Sequence, residues 1–96
     1  REVARKGAMD ISVVVPVYNE EDSLPLLYER LKAVMNTLNN SYELIFIDDG
    51  STDKSWEVLS HLRKRDEHLK IIRFTRNFGQ TAAMAAGFAQ AEGEIV

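Results

Sequence analysis

Apolar residues fall along this chain in two kinds of run. Tyr42, Leu44, Ile45, Phe46 and Ile47 fill five of six positions without alternation, the pattern of a strand buried on both faces of a parallel sheet. Residues 11–15, Ile-Ser-Val-Val-Val, are β-branched and nearly continuous and read as a second central strand. Pro16 has no N–H for a ladder, so that strand is expected to leave the sheet there and run on as an extended loop through Tyr18, Asn19 and Glu20. Residues 70–74 give a third strand. Between the strands the period changes. Leu24, Leu27, Tyr28, Leu31, Val34, Met35 and Leu38 recur at steps of three and four, predicting a helix over residues 21–39 with one apolar stripe. Asn19, Asp22 and Ser23 are available as its caps, and Pro25 is tolerable in its first turn. Trp56, Val58, Leu59 and Leu62 predict a second helix over residues 54–66, with Arg63, Lys64, Arg65 and Glu67 facing solvent. A third, over residues 80–91, carries five alanines from Ala82 to Ala89 and Gly87 among them, so one bare side can approach the sheet closely.

The order strand, helix, strand, helix, strand, helix, strand start predicts right-handed βαβ units: an α/β fold, a three-layer open, mostly parallel sheet with helices on both faces, Rossmann-like in character. Residues 1–10 form a polar lead-in and residues 11–96 one domain. The pattern breaks off in its fourth strand, Glu94-Ile95-Val96, which predicts a piece of a longer protein. A net charge of -3 with dispersed Lys and Arg excludes the footprint of a nucleic-acid binder. The absence of cysteine excludes a disulfide framework and a Cys-ligated zinc, and fits a reducing compartment. The apolar run 11–17 is too short to span a bilayer, and no secretory leader is recognisable. Asn39-Asn40-Ser41 matches a glycosylation sequon but reads as a turn.

Three loops leave the carboxyl ends of the three strands, at residues 16–20, 48–53 and 75–79. An open α/β sheet binds its ligand along that edge, so Tyr18, Glu20, Asp48, Asp49, Arg76 and Asn77 are expected to converge. An aromatic face, carboxylates and a guanidinium suit a nucleotide: Tyr18 stacks on the base, a carboxylate accepts a base N–H or a ribose hydroxyl, and the arginine meets phosphate. Each residue also has a plainer reading. Asp48, Asp49 and Asp53 can cap the following helix, Asp53 above all; Tyr18 can cover the sheet edge, Glu20 can be a first-turn acid, and Arg76 can pair with a surface carboxylate. His61 and His68 read as surface residues. Neither the G-x-x-x-x-G-K-[ST] nor the G-x-G-x-x-G pattern is present, which disfavours a typical ATPase or a Rossmann dehydrogenase.

At these positions the chain resembles the family 2 glycosyltransferases of the GT-A fold. The matching stretches are Val15-Pro-Val-Tyr-Asn-Glu20, Ile47-Asp-Asp-Gly-Ser-Thr-Asp53, Arg76-Asn-Phe-Gly79 with the small-residue helix reaching Gly87-Phe88, and Glu92-Gly-Glu-Ile-Val96. The third looks like the branch that acts on dolichyl and undecaprenyl phosphates. The resemblance implies the N-terminal, nucleotide-binding half of a GT-A fold. Pro16, Tyr18 and Glu20 would line the nucleotide site; Ile47 and Asp49 would hold the base, Asp49 accepting its ring N–H; Asp48 would contact the ribose or support its neighbour. Arg76 as a phosphate or acceptor contact is a weaker inference from the loop itself.

The implied reaction moves a hexose from a UDP- or GDP-sugar to a polyprenyl phosphate by in-line displacement at the anomeric carbon, with inversion. Such an acceptor is already anionic near neutral pH, its second pKa being about 6, so a strong base matters less. A divalent cation, Mg2+ or Mn2+, would neutralise the leaving diphosphate; its acidic motif would follow Val96, so neither metal ligands nor catalytic residues are expected in these residues. The chain alone is then expected to be soluble, inactive and at best a weak nucleotide binder, and the whole enzyme membrane-associated on the cytoplasmic side. Rival readings are a family 2 enzyme with a saccharide acceptor, a signalling receiver, for which the first strand lacks the needed acidic pair, and a domain that only binds partners. Oligomeric state is left open.

Overall fold

A computed structural model describes residues 10–38, 40–92 and 94–95. The lead-in before Asp10, Asn39 of the sequon, Gly93 and Val96 lie outside the described residues. In chain order the elements are β1 (Ile11–Val17), α1 (Leu24–Asn36), β2 (Tyr42–Asp48), α2 (Ser55–Arg65), β3 (Leu69–Arg73), α3 (Gln80–Gln90) and β4 (Glu94–Ile95). The strands lie in the order β3-β2-β1-β4 and every pairing is parallel.

Every residue of β2 is buried, and the pleat sorts its side chains to two layers. Tyr42, Leu44 and Phe46 meet Leu24, Tyr28 and Met35 of α1 and Leu59 and Leu62 of α2. Ile45 and Ile47 meet Val14 and Ala83 of α3. This is the three-layer α/β arrangement that the apolar runs predict, with α1 and α2 on one face and α3 on the other.

The alanine-rich helix does approach closely. A Cβ built on Gly87 would lie 2.3 Å from Val14 Cγ1 and 2.9 Å from Ile47 Cδ1. Overpacking of this kind costs about 1–3 kcal/mol, against a gain of about 1 kcal/mol from replacing glycine inside a helix. Gly87→Ala is therefore expected to destabilise the fold by up to about 2 kcal/mol, read as a lower midpoint in urea; a higher midpoint would show that α3 has room to spare.

Two expectations need correction. The ladder continues past Pro16, which faces Ile47, with Val17 facing Asp48. The Val17 carbonyl accepts the Asp49 N–H at 2.8 Å, so Val17 turns its backbone groups toward β2 and Pro16 turns its own away from it; the N–H that proline lacks is not one that this ladder uses. The helix α1 is also shorter than residues 21–39 and its stripe narrower than its periodicity suggests, for Val34 is 58% exposed and Leu38, past the end of the helix, 41%.

The core holds two buried charges that periodicity does not reveal. Glu43 is 1% exposed; its Oε2 accepts from Ser12 Oγ at 2.6 Å and the Glu92 N–H at 2.7 Å, and Lys70 Nζ lies 2.8 Å from Oε1. Burial pushes this carboxyl up, but Lys70, Ser12 and the Glu92 amide outweigh it and hold it below its ordinary value. The group ties β1, β2 and β3 to the turn after α3, at the sheet end opposite the loops. Asp66, just beyond α2, accepts from Tyr28 Oη at 2.7 Å, Lys32 Nζ at 2.9 Å and the His68 N–H at 2.9 Å. His68 is thus not a free surface residue. Its ring stacks on Tyr42 with centroids 4.3 Å apart, and its Nδ1 lies 3.0 Å from Asp66. His61 is exposed, as expected.

Candidate functional site

The three loops at the carboxyl edge of the sheet hold one another through side chains that reach neighbouring backbones. Asn19 takes a positive φ of 52°, which asparagine tolerates better than most residues. This turns its Oδ1 toward the second loop, where it accepts the N–H groups of Thr52 at 2.8 Å and Asp53 at 3.3 Å. In return the Asn19 N–H donates to Ser51 Oγ and the Glu20 N–H to Ser55 Oγ, both at 2.9 Å. Asp53 accepts from the Ser55 N–H, capping α2 as expected, and also from the Glu21 N–H at 3.2 Å. Desolvation raises the Asp53 carboxyl, but the Ser55 and Glu21 hydrogen bonds prevail and its pKa falls below the ordinary value. Much of the Asn-Glu and Ser-Thr-Asp portions of the two motifs therefore serves to lock loop to loop.

Asp49 fastens the third loop. It is 4% exposed, and its carboxylate accepts the Phe78 N–H at 2.8 Å, the Gly79 N–H at 3.0 Å and Asn77 Nδ2 at 3.2 Å. The loop can come this near because Gly50 has no Cβ: one placed there would sit 2.1 Å from the Arg76 carbonyl carbon. The three loops leave between them an open crevice of about 340 Å³, within the range of roughly 300–1,000 Å³ common for small-molecule sites. It is lined by Pro16, Val17, Tyr18 and Glu20 from the end of β1 and the first loop, and by Asp49, Asn77, Gly79 and Gln80 from the second and third loops and the start of α3. Tyr18 is 46% exposed, leaving its ring available to a planar ligand.

Of the residues expected at the site, the structure brings Pro16, Tyr18, Glu20, Asp49 and Asn77 together around this crevice. It does not bring Ile47, Asp48 or Arg76. Alternate residues of β2 point to opposite faces, so Ile47 is wholly buried under α3 and Asp48 wholly buried toward α1 and α2. Asp49, past the end of the strand, is the first acid free to turn to the edge. Asp48 Oδ1 accepts the Ser51 N–H at 3.0 Å, shaping the turn, while its Oδ2 has no hydrogen-bond partner among the described residues. The Arg76 guanidinium lies 4.5 Å from the Phe78 ring centroid, outside the crevice lining. Val17, Gly79 and Gln80 are lining residues that motif reading passes over. The signal for them is weak: they stand where a strand ends and a helix begins, beside residues with more conspicuous chemistry. Among the described residues no cluster of three or more His, Asp or Glu side chains is placed to hold a metal ion.

Comparison with known proteins matches residues 12–96 to the model of Glycosyl transferase family 2. Similar curated relatives include an undecaprenyl-phosphate 4-deoxy-4-formamido-L-arabinose transferase of Photorhabdus laumondii, 49% identical over 90% of this chain, and that of Proteus mirabilis, 48% identical over 90%. The chain spans 27% of the length of each. Among solved structures, residues 1–349 of S. aureus TarS superpose with a TM-score of 0.74 at 28% identity, covering 92% of this chain and 27% of that one. The same protein in complex with UDP gives 0.67. A Pyrobaculum calidifontis mannosyltransferase, solved with GDP-Man and Mn2+, gives 0.67 at 22% identity over 91% of this chain and 26% of its own, a likeness of fold.

Proposed function

Since the chain belongs to glycosyl transferase family 2, we propose that its crevice is the donor-nucleotide site of an inverting transferase that moves a sugar from a UDP- or GDP-sugar to a polyprenyl phosphate. The observation that carries this reading is the crevice itself. Tyr18 offers an exposed ring, Glu20 an acceptor and Asn77 a polar amide around one opening, at the strand ends where open α/β sheets bind ligands. The acceptor class rests on relatives whose names give undecaprenyl phosphate. Those relatives handle an arabinose derivative, so the donor sugar is broadened here from a hexose to a pentose or hexose. Family membership also weighs against the receiver reading.

In this role the residues present bind and orient. Tyr18 covers one face of the base, and Glu20 accepts from a hydroxyl or ring N–H. A divalent cation, Mg2+ or Mn2+, would supply charge neutralisation at the leaving diphosphate; the described residues offer no cluster to hold it. Membrane association would come with a lipid acceptor. No helix among the described residues is long and apolar enough to cross a bilayer.

Titration of the chain with UDP and GDP, with and without Mn2+, followed by amide NMR shifts, tests the reading. Saturable shifts at Tyr18, Glu20 and Asn77 are expected. Stacking on an aromatic ring contributes about 1–3 kcal/mol per base, so Tyr18→Ala should weaken binding about fivefold or more. Unmoved crevice amides at millimolar nucleotide would refute a donor site.

A further inference from the structure

The first loop is held in place by the second. Three of its consecutive amides donate to side chains across the gap: the Asn19 N–H to Ser51 Oγ and the Glu20 N–H to Ser55 Oγ, both at 2.9 Å, and the Glu21 N–H to Asp53 Oδ2 at 3.2 Å. Bonds also run back. Asn19 Oδ1 accepts the Thr52 and Asp53 N–H groups at 2.8 and 3.3 Å, and Glu21 Oε1 accepts the Lys54 N–H at 3.1 Å. A second observation marks Asn19 within this exchange. Among the described residues it alone, glycine apart, has a positive φ, a conformation that persists where the surrounding structure fixes it.

We propose that Asn19 is a positioning residue of the donor site: by clasping the second loop it holds Tyr18 and Glu20, its neighbours on either side in the chain, at the crevice. This rests on the donor-site reading above. Both neighbours line the crevice and Asn19 does not; its amide oxygen is spent on the two backbone N–H groups. Its effect on a ligand therefore passes through them. Apparent affinity falls with the fraction of molecules whose binding wall is in place, so a loosened clasp weakens binding although no ligand contact is removed. Asparagine meets two demands at once. It tolerates the left-handed backbone, and it carries a neutral acceptor, which repels neither Asp53 nor an anionic nucleotide. Glycine would meet only the first.

That difference makes Asn19→Gly the test, since it keeps the backbone conformation and removes the acceptor. UDP and GDP are titrated by NMR into the wild-type chain, Asn19→Gly, Tyr18→Ala and the double variant, and exchange of the Glu20 amide hydrogen is followed with and without nucleotide. Loss of one hydrogen bond from the clasp should weaken binding about fivefold in Asn19→Gly and speed exchange of the Glu20 amide. Saturating nucleotide should restore that protection, because a ligand that needs the loop in place must stabilise it in return. In the Tyr18→Ala background the cost of Asn19→Gly should shrink to about twofold, since one of the two residues it positions is gone; a role confined to folding would leave that cost unchanged. Should Asn19→Gly not fold, Ser51→Ala opens the clasp from the other loop, with the same expected pattern. Unaltered affinity in Asn19→Gly overturns the proposal, as does an undiminished cost in the Tyr18→Ala background, or nucleotide that binds without protecting the Glu20 amide. A wild type that binds neither nucleotide overturns the donor-site reading, and this inference with it.

Discussion

Gly50→Ala is expected to lower stability by about 3–4 kcal/mol, with two separable causes. Gly50 has φ +74°, and an L-residue held in the left-handed region costs about 1–2 kcal/mol. The added methyl would also lie 2.1 Å from the Arg76 carbonyl carbon, 2.3 Å from the Asn77 nitrogen and 2.6 Å from the Arg76 oxygen. These are backbone atoms, so no rotamer change relieves the clash and the third loop must move away. Moving it breaks the hydrogen bonds from the Phe78 and Gly79 amides to Asp49, at about 1 kcal/mol each. Gly79→Ala carries strain without a clash: at φ +100° and ψ 159° an L-residue enters a region kept essentially for glycine, at about 1–3 kcal/mol, but nothing lies within 4 Å of the added methyl. In urea unfolding Gly50→Ala should therefore lose more stability than Gly79→Ala. A Gly50→Ala loss of only about 1–2 kcal/mol, strain alone, would show that the close approach of the loops contributes nothing.

Asp66→Ala should cost about 3 kcal/mol, toward the lower end of what breaking a buried ion pair costs because Lys32 remains partly solvated. The substitution strands the Tyr28 hydroxyl and Lys32 between α1 and α2. Its pH signature is specific. Burial pushes the Asp66 carboxyl up, but Tyr28, the His68 amide and Lys32 prevail and leave it well below the usual carboxylate range. A group whose folded pKa is lowered contributes stability that is complete above its unfolded value of about 3.9 and is lost as pH falls toward the folded value. Tyr28 runs the other way. Burial and the neighbouring Asp66 raise it to about 12, so its contribution is complete below about 10 and is lost as pH rises from there. Lys32 is also raised, Tyr42 and Asp66 outweighing its burial, and adds to the alkaline loss. Stability of the wild type should then fall below about pH 4 and above about pH 10, and Asp66→Ala should flatten both limbs. An acid limb of unchanged steepness in Asp66→Ala would assign it to other carboxylates.

The fold is legible in the chain because its main signals are local. The unbroken apolar run of β2 shows that both its faces are covered, and the stripes of α1 and α2 show which sides cover one of them. Convergence of the loops follows from topology alone, which is why Tyr18, Glu20, Asp48, Asp49, Arg76 and Asn77 read as one group in the sequence; which of them face the crevice does not follow from it, and Asp48 and Arg76 do not. What escaped is non-local. Glu43 sits in a strand pattern that tolerates one acid, and nothing near it in sequence says that Ser12 and Lys70 will meet it. Asp66 resembles the charged residues before it, yet Tyr28, its main partner, is 38 positions away. The same limit applies to Asp49, whose acidity suggests a ligand contact while its geometry shows three bonds to the protein itself. Polar residues declare their chemistry in sequence; their partners decide how that chemistry is used.

An all-parallel sheet also sets a timetable for the growing chain. Ile11 of β1 finds its Cα partner at Tyr42, and no shorter-range hairpin can start the ladder among the described strands. At about 5–20 residues per second of synthesis, the separation of 31 positions between Ser12 and Glu43 is roughly 2–6 s of translation. Throughout that interval the valines following Ser12 wait with neither neighbour in place, an open edge on which another nascent chain can dock. The hazard of misassociation is thus greatest on the ribosome, before the helix that separates the two strands has anything to pack against.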